Sequence, residues 1–149
     1  MDRVEVVDGI ELAYDELFGS GPPIVFIHGA LMADAFRPLV AESALGEFRR
    51  ITYHRRGYRH SSPLPSSGTT MAQQAADCAA LLRRLEIPRA HVVGHSLGGS
   101  IALQLALAVF ASRLRLEIEG NLPEPEPLIT LRPKGGLPMR ATPRVPTRH

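Results

Sequence analysis

Apolar runs of strand length alternate with segments of helical period along this chain. That pattern predicts an α/β fold, a mostly parallel sheet opened by an antiparallel hairpin and flanked by helices. Three stretches carry the prediction. An Asp-Gly pair divides two short β-type runs near the N-terminus. A continuous β-branched and aromatic run occupies residues 24–27. The run 90–93 leads through a glycine-rich turn into an Ala/Leu-rich helical stretch.

The hairpin is read from Val4-Glu5-Val6-Val7, then Asp8-Gly9, then Ile10-Glu11-Leu12-Ala13-Tyr14, because Asp-Gly favours the positive φ angles of a two-residue turn. Gly19-Ser20-Gly21-Pro22-Pro23 interrupts the pattern. Ile24-Val25-Phe26-Ile27 then reads as a strand buried on both faces of a sheet, ended by His28-Gly29. A short helix is expected over about 34–45, and a further strand at Arg50-Ile51-Thr52-Tyr53. Thr70 with Gln73 forms a capping-box pattern, after which Met71, Ala75, Cys78, Leu82 and Leu85 recur at helical spacing. Arg83 and Arg84 suit that helix's C-terminus. Pro88 closes the segment before the strand at 90–93.

The chain has 149 residues, 44% of them apolar, enough for one domain with a substantial core. A net charge of +2 makes no case for a polyanionic partner, so no nucleic acid is expected. The single cysteine, Cys78, excludes an internal disulfide and a cysteine metal cluster, and its place on the apolar stripe reads as core packing. The N-terminal residues lack a basic segment followed by an apolar one, which makes the cytoplasm the expected location. The apolar run from Ile101 to Phe110 is about half of what a bilayer crossing requires, so a core helix and no membrane association are expected.

One segment specifies a reaction. Gly94-His95-Ser96-Leu97-Gly98-Gly99 joins the strand at 90–93 to the following helix, with the small residues at 94 and 98 permitting a sharp turn that lifts Ser96 above the sheet. The plainer reading is a close-packed glycine turn in which Ser96 only caps the helix. The chain has no G-x-G-x-x-G and no G-K-[ST], hence no usual phosphate cradle. No histidine pair has the i, i+4 spacing of a helical metal motif, and neither a metal nor another cofactor is expected.

Four features, in this order over residues 4 to about 110, resemble the α/β-hydrolase superfamily, in particular its small esterase-like and lactonase-like serine hydrolases. They are the N-terminal hairpin, the strand ending Phe26-Ile27-His28-Gly29, the loop Tyr53-His54-Arg55-Arg56-Gly57-Tyr58 followed by Ser61-Ser62, and the elbow around Ser96. The resemblance implies a partial α/β-hydrolase fold with Ser96 as nucleophile. It also implies an oxyanion hole made by the backbone N–H groups of Ala30 and Leu97, supported by His28, Gly29, Gly94, His95 and Gly98. Such donors stabilise the charge that develops when a serine attacks an ester carbonyl, each worth about 3–4 kcal/mol of barrier. The implied partner is a small-molecule acyl substrate, such as an ester or lactone. Serine at the elbow disfavours epoxide chemistry with an aspartate nucleophile. His28 and His95 are expected to be structural rather than general bases, and 54–60 is expected to be a solvated basic loop. His54 and Arg59 depart from the family, which often has an acid and a glycine there.

The family supplies its base late, in the order serine, acid, histidine. Here the helical stretch gives way after about residue 111 to a segment, 113–119, that alternates charged and apolar residues. It fits either an edge strand or a continued helix. Seven of the 13 prolines then follow residue 120, a pattern that opposes both helix and ladder and predicts poor order. The expected organisation is therefore the N-terminal portion of a hydrolase domain over 1–112 and an irregular Pro/Arg-rich tail over 113–149, as in a truncated or frame-shifted relative. Only His149, with Glu117, Glu119, Glu124 or Glu126, could formally complete the order. The expectation is very weak or no activity. The alternative is a non-catalytic binding domain that retains the half-sheet.

Overall fold

The computed structural model describes residues 3–118, 125–126, 132–133 and 139–143. The chain divides into two compact units, residues 1–106 and 107–149.

The first unit is built on a five-stranded sheet of order β1-β2-β4-β3-β5. Its strands are β1 (Arg3–Val7), β2 (Ile10–Leu17), β3 (Gly21–Ile27), β4 (Phe48–Tyr53) and β5 (His91–Gly94). The sheet is mixed: β1–β2 and β2–β4 are antiparallel, β4–β3 and β3–β5 parallel. The expected hairpin is present, with Asp8 at φ 46° and Gly9 at φ 83°. Both central residues thus take the positive φ of a type I′ turn, which matches the right-handed twist of the flanking strands. Strand β3 begins earlier than the residues suggested, at Gly21, with a register shift between Gly21 and Pro23.

Helices α1 (Arg37–Val40), α2 (Met71–Arg84) and α3 (Leu97–Arg113) connect or follow the strands. The helix expected over 34–45 is reduced to α1 and a 3-10 turn at Ser43–Leu45, because Glu42 is extended (ψ 135°) and interrupts it. The Thr70–Gln73 capping box opens α2, the threonine hydroxyl accepting from the Gln73 N–H at 3.1 Å.

Alternation along β3 supplies both faces of the sheet. Val25 and Ile27 join Leu12, Tyr14, Ile51 and Tyr53 in a core shared with Cys78 and Leu81 of α2 and Ile101 of α3. Ile24 and Phe26 point the other way and pack with Val40 of α1 and with Phe36. All four residues of the 24–27 run are buried, as a strand covered on both faces requires. Cys78 is wholly buried, and loss of hydration pushes its thiol up to about 12, so it packs as an inert apolar group.

In the second unit α3 ends at Arg113 and the chain continues as β6 (Leu114–Ile118), paired antiparallel with β9 (Met139–Pro143). The 113–119 stretch is thus a strand from 114 to 118. Two-residue strands β7 (Pro125–Glu126) and β8 (Arg132–Pro133) also pair. The rest of the region read as an irregular tail, including Glu119, Glu124 and His149, lies outside the described residues.

Candidate active site

Strands β3 and β5 run parallel with Ile27 beside Gly94, so the segments that leave their carboxyl ends emerge side by side. The His95 N–H donates to the Ile27 carbonyl at 3.1 Å. Three glycines allow the approach. A Cβ on Gly98 would overlap the Ile27 carbonyl oxygen, and one on Gly94 would overlap the Gly98 carbonyl oxygen. A Cβ on Gly29 would fall 2.9 Å from His95 Nδ1 and 3.2 Å from Ser96 Cβ. His28-Gly29-Ala30 and the Ser96 elbow, 67 residues apart in the chain from Gly29 to Ser96, therefore lie against one another.

The glycines at 94 and 98 serve close packing; the turn's unusual backbone belongs to Ser96 itself. Its φ is +52°, in the left-handed region that non-glycine residues seldom occupy. Ser96 is exposed. Its side chain caps nothing: the Gly98 and Gly99 N–H groups donate to the carbonyls of His95 and Ser96, both at 2.8 Å. Among the described residues, the N–H groups of Ala30 and Leu97 have no hydrogen-bond partner.

His28 is buried and both its ring nitrogens are engaged. The Arg55 N–H donates to Nε2 at 3.1 Å, so the proton resides on Nδ1, which donates to the Gly29 carbonyl at 2.7 Å. Loss of hydration lowers its pKa to about 4, the Arg55 charge adding to that effect, and the imidazole is neutral near pH 7. His95 is exposed.

The loop after β4 departs from the solvated basic loop its residues suggested at its first two positions, His54 and Arg55, whereas Arg59 and His60 are exposed. Arg55 is 2% exposed and His54 likewise. Arg55 Nε donates to the His28 carbonyl and Nη2 to the Gly29 carbonyl, each at 3.1 Å, while Nη1 reaches Gln74 Oε1 on α2. Its guanidinium lies 4.8 Å from the centre of the Tyr58 ring. That ring meets His28 edge-on at 4.6 Å, and the Tyr58 hydroxyl accepts from the Leu31 N–H at 3.3 Å.

The remaining loop residues tether it. Arg56 forms a two-pronged pair with Asp77 of α2, at 3.0 and 2.6 Å. Ser61 and Ser62 hydroxyls accept from the Ala13 and Glu11 N–H groups of β2. His54 Nε2 lies 3.3 Å from Asp34, which also pairs with Arg59 at 2.5 Å. Burial alone would raise the Asp34 carboxyl; the His54 hydrogen bond and the Arg59 and Arg37 charges outweigh it and hold the carboxyl below its usual value. Burial likewise lowers His54.

The family profile described as "alpha/beta hydrolase fold" matches residues 22–115, more than half of the chain. The chain belongs to this family. Among curated members, a Yersinia enterocolitica protein named as a carbamate hydrolase is 51% identical over 67 residues, which is 44% of this chain and 24% of that protein. A non-heme chloroperoxidase of Kitasatospora aureofaciens is 37% identical over 93 residues, covering 62% of this chain and 33% of the relative. An esterase structure from Exiguobacterium antarcticum superposes with a TM-score of 0.64 at 28% identity, over 72% of this chain and 40% of the esterase. This family member thus spans between about a quarter and two fifths of the length of these relatives. Among the described residues, no helix is long and apolar enough to cross a membrane, and no group of three or more His, Cys, Asp or Glu could hold a metal ion.

Ser96, and the residues that the family resemblance groups with it, Ala30, Leu97, His28, Gly29, Gly94, His95 and Gly98, all lie where β3 and β5 end. Arg55, Tyr58 and Gln74 join them without having been expected at the site. One signal was available: Gln74 lies three residues after Met71 and four before Cys78, a polar residue on an otherwise apolar stripe.

Proposed function

We propose that this chain carries the nucleophile and oxyanion-hole part of a serine hydrolase acting on a small ester, lactone or similar acyl substrate. The observation that carries the reading is Ser96 itself, held exposed at φ +52° on a strand–turn–helix apex, with its side chain unused by the helix. Ser96 Oγ attacks the acyl carbonyl, the proton it loses ending on the departing alcohol, and the Ala30 and Leu97 N–H groups donate hydrogen bonds to the carbonyl oxygen as it becomes negative. Collapse of that intermediate expels the alcohol and leaves an ester bond between the acyl carbon and Ser96 Oγ; water then cleaves it and restores the serine. The names of the carbamate hydrolase and esterase relatives, and of an N-acyl homoserine lactone degrading enzyme of TM-score 0.59, agree with acyl chemistry.

Among the described residues no histidine is hydrogen-bonded to Ser96, so none of these stands ready to take its proton. Turnover by this chain is expected to fall on the order of a million-fold below that of a complete triad. The same observation favours the second reading, a non-catalytic binding domain.

A fluorophosphonate probe separates the two. Slow labelling that disappears in Ser96→Ala supports the nucleophile. Absence of labelling in folded protein removes it and leaves the binding domain.

A further inference from the structure

We propose that Arg55 is a positioning residue for the Ser96 site, its guanidinium fixing the Gly29–Ala30 peptide plane so that the Ala30 N–H faces the serine. This rests on the reading of Ser96 as the nucleophile and of Ala30 as an oxyanion donor. A trans peptide is planar, with its C=O and N–H pointing in opposite directions. The Gly29 carbonyl oxygen is held by two donors, His28 Nδ1 at 2.7 Å and Arg55 Nη2 at 3.1 Å. The amide hydrogen of Ala30, on the far side of that plane, is thereby directed away from Arg55. It has no hydrogen-bond partner among the described residues, and Gly29 lies directly against Ser96.

The preceding carbonyl, His28 O, is held by Arg55 Nε at 3.1 Å, and the Arg55 N–H holds His28 Nε2. One residue thus pins the two successive peptide planes on either side of Gly29, together with the His28 imidazole. The fork itself is fixed from behind by Gln74 and by the Tyr58 ring. A lysine would keep the charge, but its donors sit on one atom and lack the planar fork by which three separate nitrogens reach both carbonyls and Gln74 at once.

Among the described residues no carboxylate pairs with Arg55; its donors go to neutral oxygens. A buried cation without a counter-charge is costly in a resting protein. Placed behind a donor aimed at developing negative charge, it has a function that a structural brace would not need.

The test compares the 149-residue wild-type chain, Arg55→Lys, Gln74→Met and, as a control, Arg56→Gln, which loosens the same loop through Asp77 without touching the His28 or Gly29 carbonyls. Two quantities are read: the rate of Ser96 labelling by fluorophosphonate, and the orientation of the Ala30 N–H from its residual dipolar coupling. Arg55→Lys is expected to slow labelling about 100-fold, as loss of an oxyanion donor does, and to change the Ala30 coupling. Gln74→Met is expected to do both to a lesser degree, and Arg56→Gln to do neither. Labelling at the wild-type rate, or an unchanged Ala30 coupling, in folded Arg55→Lys would overturn the proposal. If Arg55→Lys does not fold, an unchanged coupling in Gln74→Met overturns it instead. If wild type itself is never labelled, the nucleophile reading fails separately, and the coupling alone decides what Arg55 orients.

Discussion

At the carboxyl end of β4 the chain enters a loop whose first two arginines are drawn inward and engaged, Arg55 buried and Arg56 half-buried. Arg55 is bound to two carbonyls and a glutamine, and Arg56 to Asp77. At the carboxyl end of β5 it instead turns through an exposed serine into a helix whose Leu103 is 63% exposed, on a strand paired with β3 alone among the described residues. The first region is over-determined: Arg55 and Arg56 each make more than one hydrogen bond, so the loop's position is set by several bonds at once. The second takes its position from one parallel strand pair and from backbone packing against Ile27. Rigidity around Ser96 is therefore borrowed from the β3–β4 side, through Gly29 and Gly98.

Three measurements would break or sharpen that contrast. The largest effect is expected where the two regions touch. Gly98→Ala drives a methyl into the Ile27 carbonyl, and backbone cannot step aside; it should cost at least about 3 kcal/mol in urea unfolding. The adjacent Gly99→Ala meets nothing nearer than 3.5 Å and should stabilise α3 by about 0.5–1 kcal/mol. Equal costs at the two positions would contradict the account of how the elbow is held.

Acidification addresses the over-determined side. The unfolded chain's histidine takes up a proton near pH 6.5, whereas buried His28 does not until about pH 4. Between those values the unfolded state binds more protons, so stability is fully present above pH 6.5 and declines as pH falls toward 4, by about 3 kcal/mol in total. His28→Gln should flatten unfolding free energies measured across that window; an unchanged slope would mean that another group titrates there. The smallest effect belongs to the exposed helix face. Leu103→Ser should change stability by no more than about 0.5 kcal/mol, and a larger loss would show that this face is covered in solution.

Local chemistry made much of this molecule legible in advance. Asp8-Gly9 specifies its turn through allowed φ angles, the 24–27 run specifies a doubly covered strand, and Thr70 with Gln73 specifies a helix start. The Ser96 elbow was legible for the same reason, since strand, glycines and helix are contiguous. What could not be read is whatever depends on partners distant in the chain. Arg55 looks like any loop arginine, and only the fold brings it to the His28 and Gly29 carbonyls and to Gln74, where desolvation is offset by charge-assisted hydrogen bonds. The same limit applies to the glycines. Their presence predicted a tight turn, but the tertiary structure decided that 94 and 98 serve close packing while Ser96 bears the left-handed backbone.

Sequence alone therefore determined the order of the strands and helices of the first unit and the residue at the apex, because those follow from period, propensity and turn sterics within a few residues. The tertiary structure alone decided that β2 pairs with β4, that His54 and Arg55 are buried and that Gly29 touches Ser96. Each of those depends on which groups, far apart in the chain, are brought close enough to exclude water and satisfy one another.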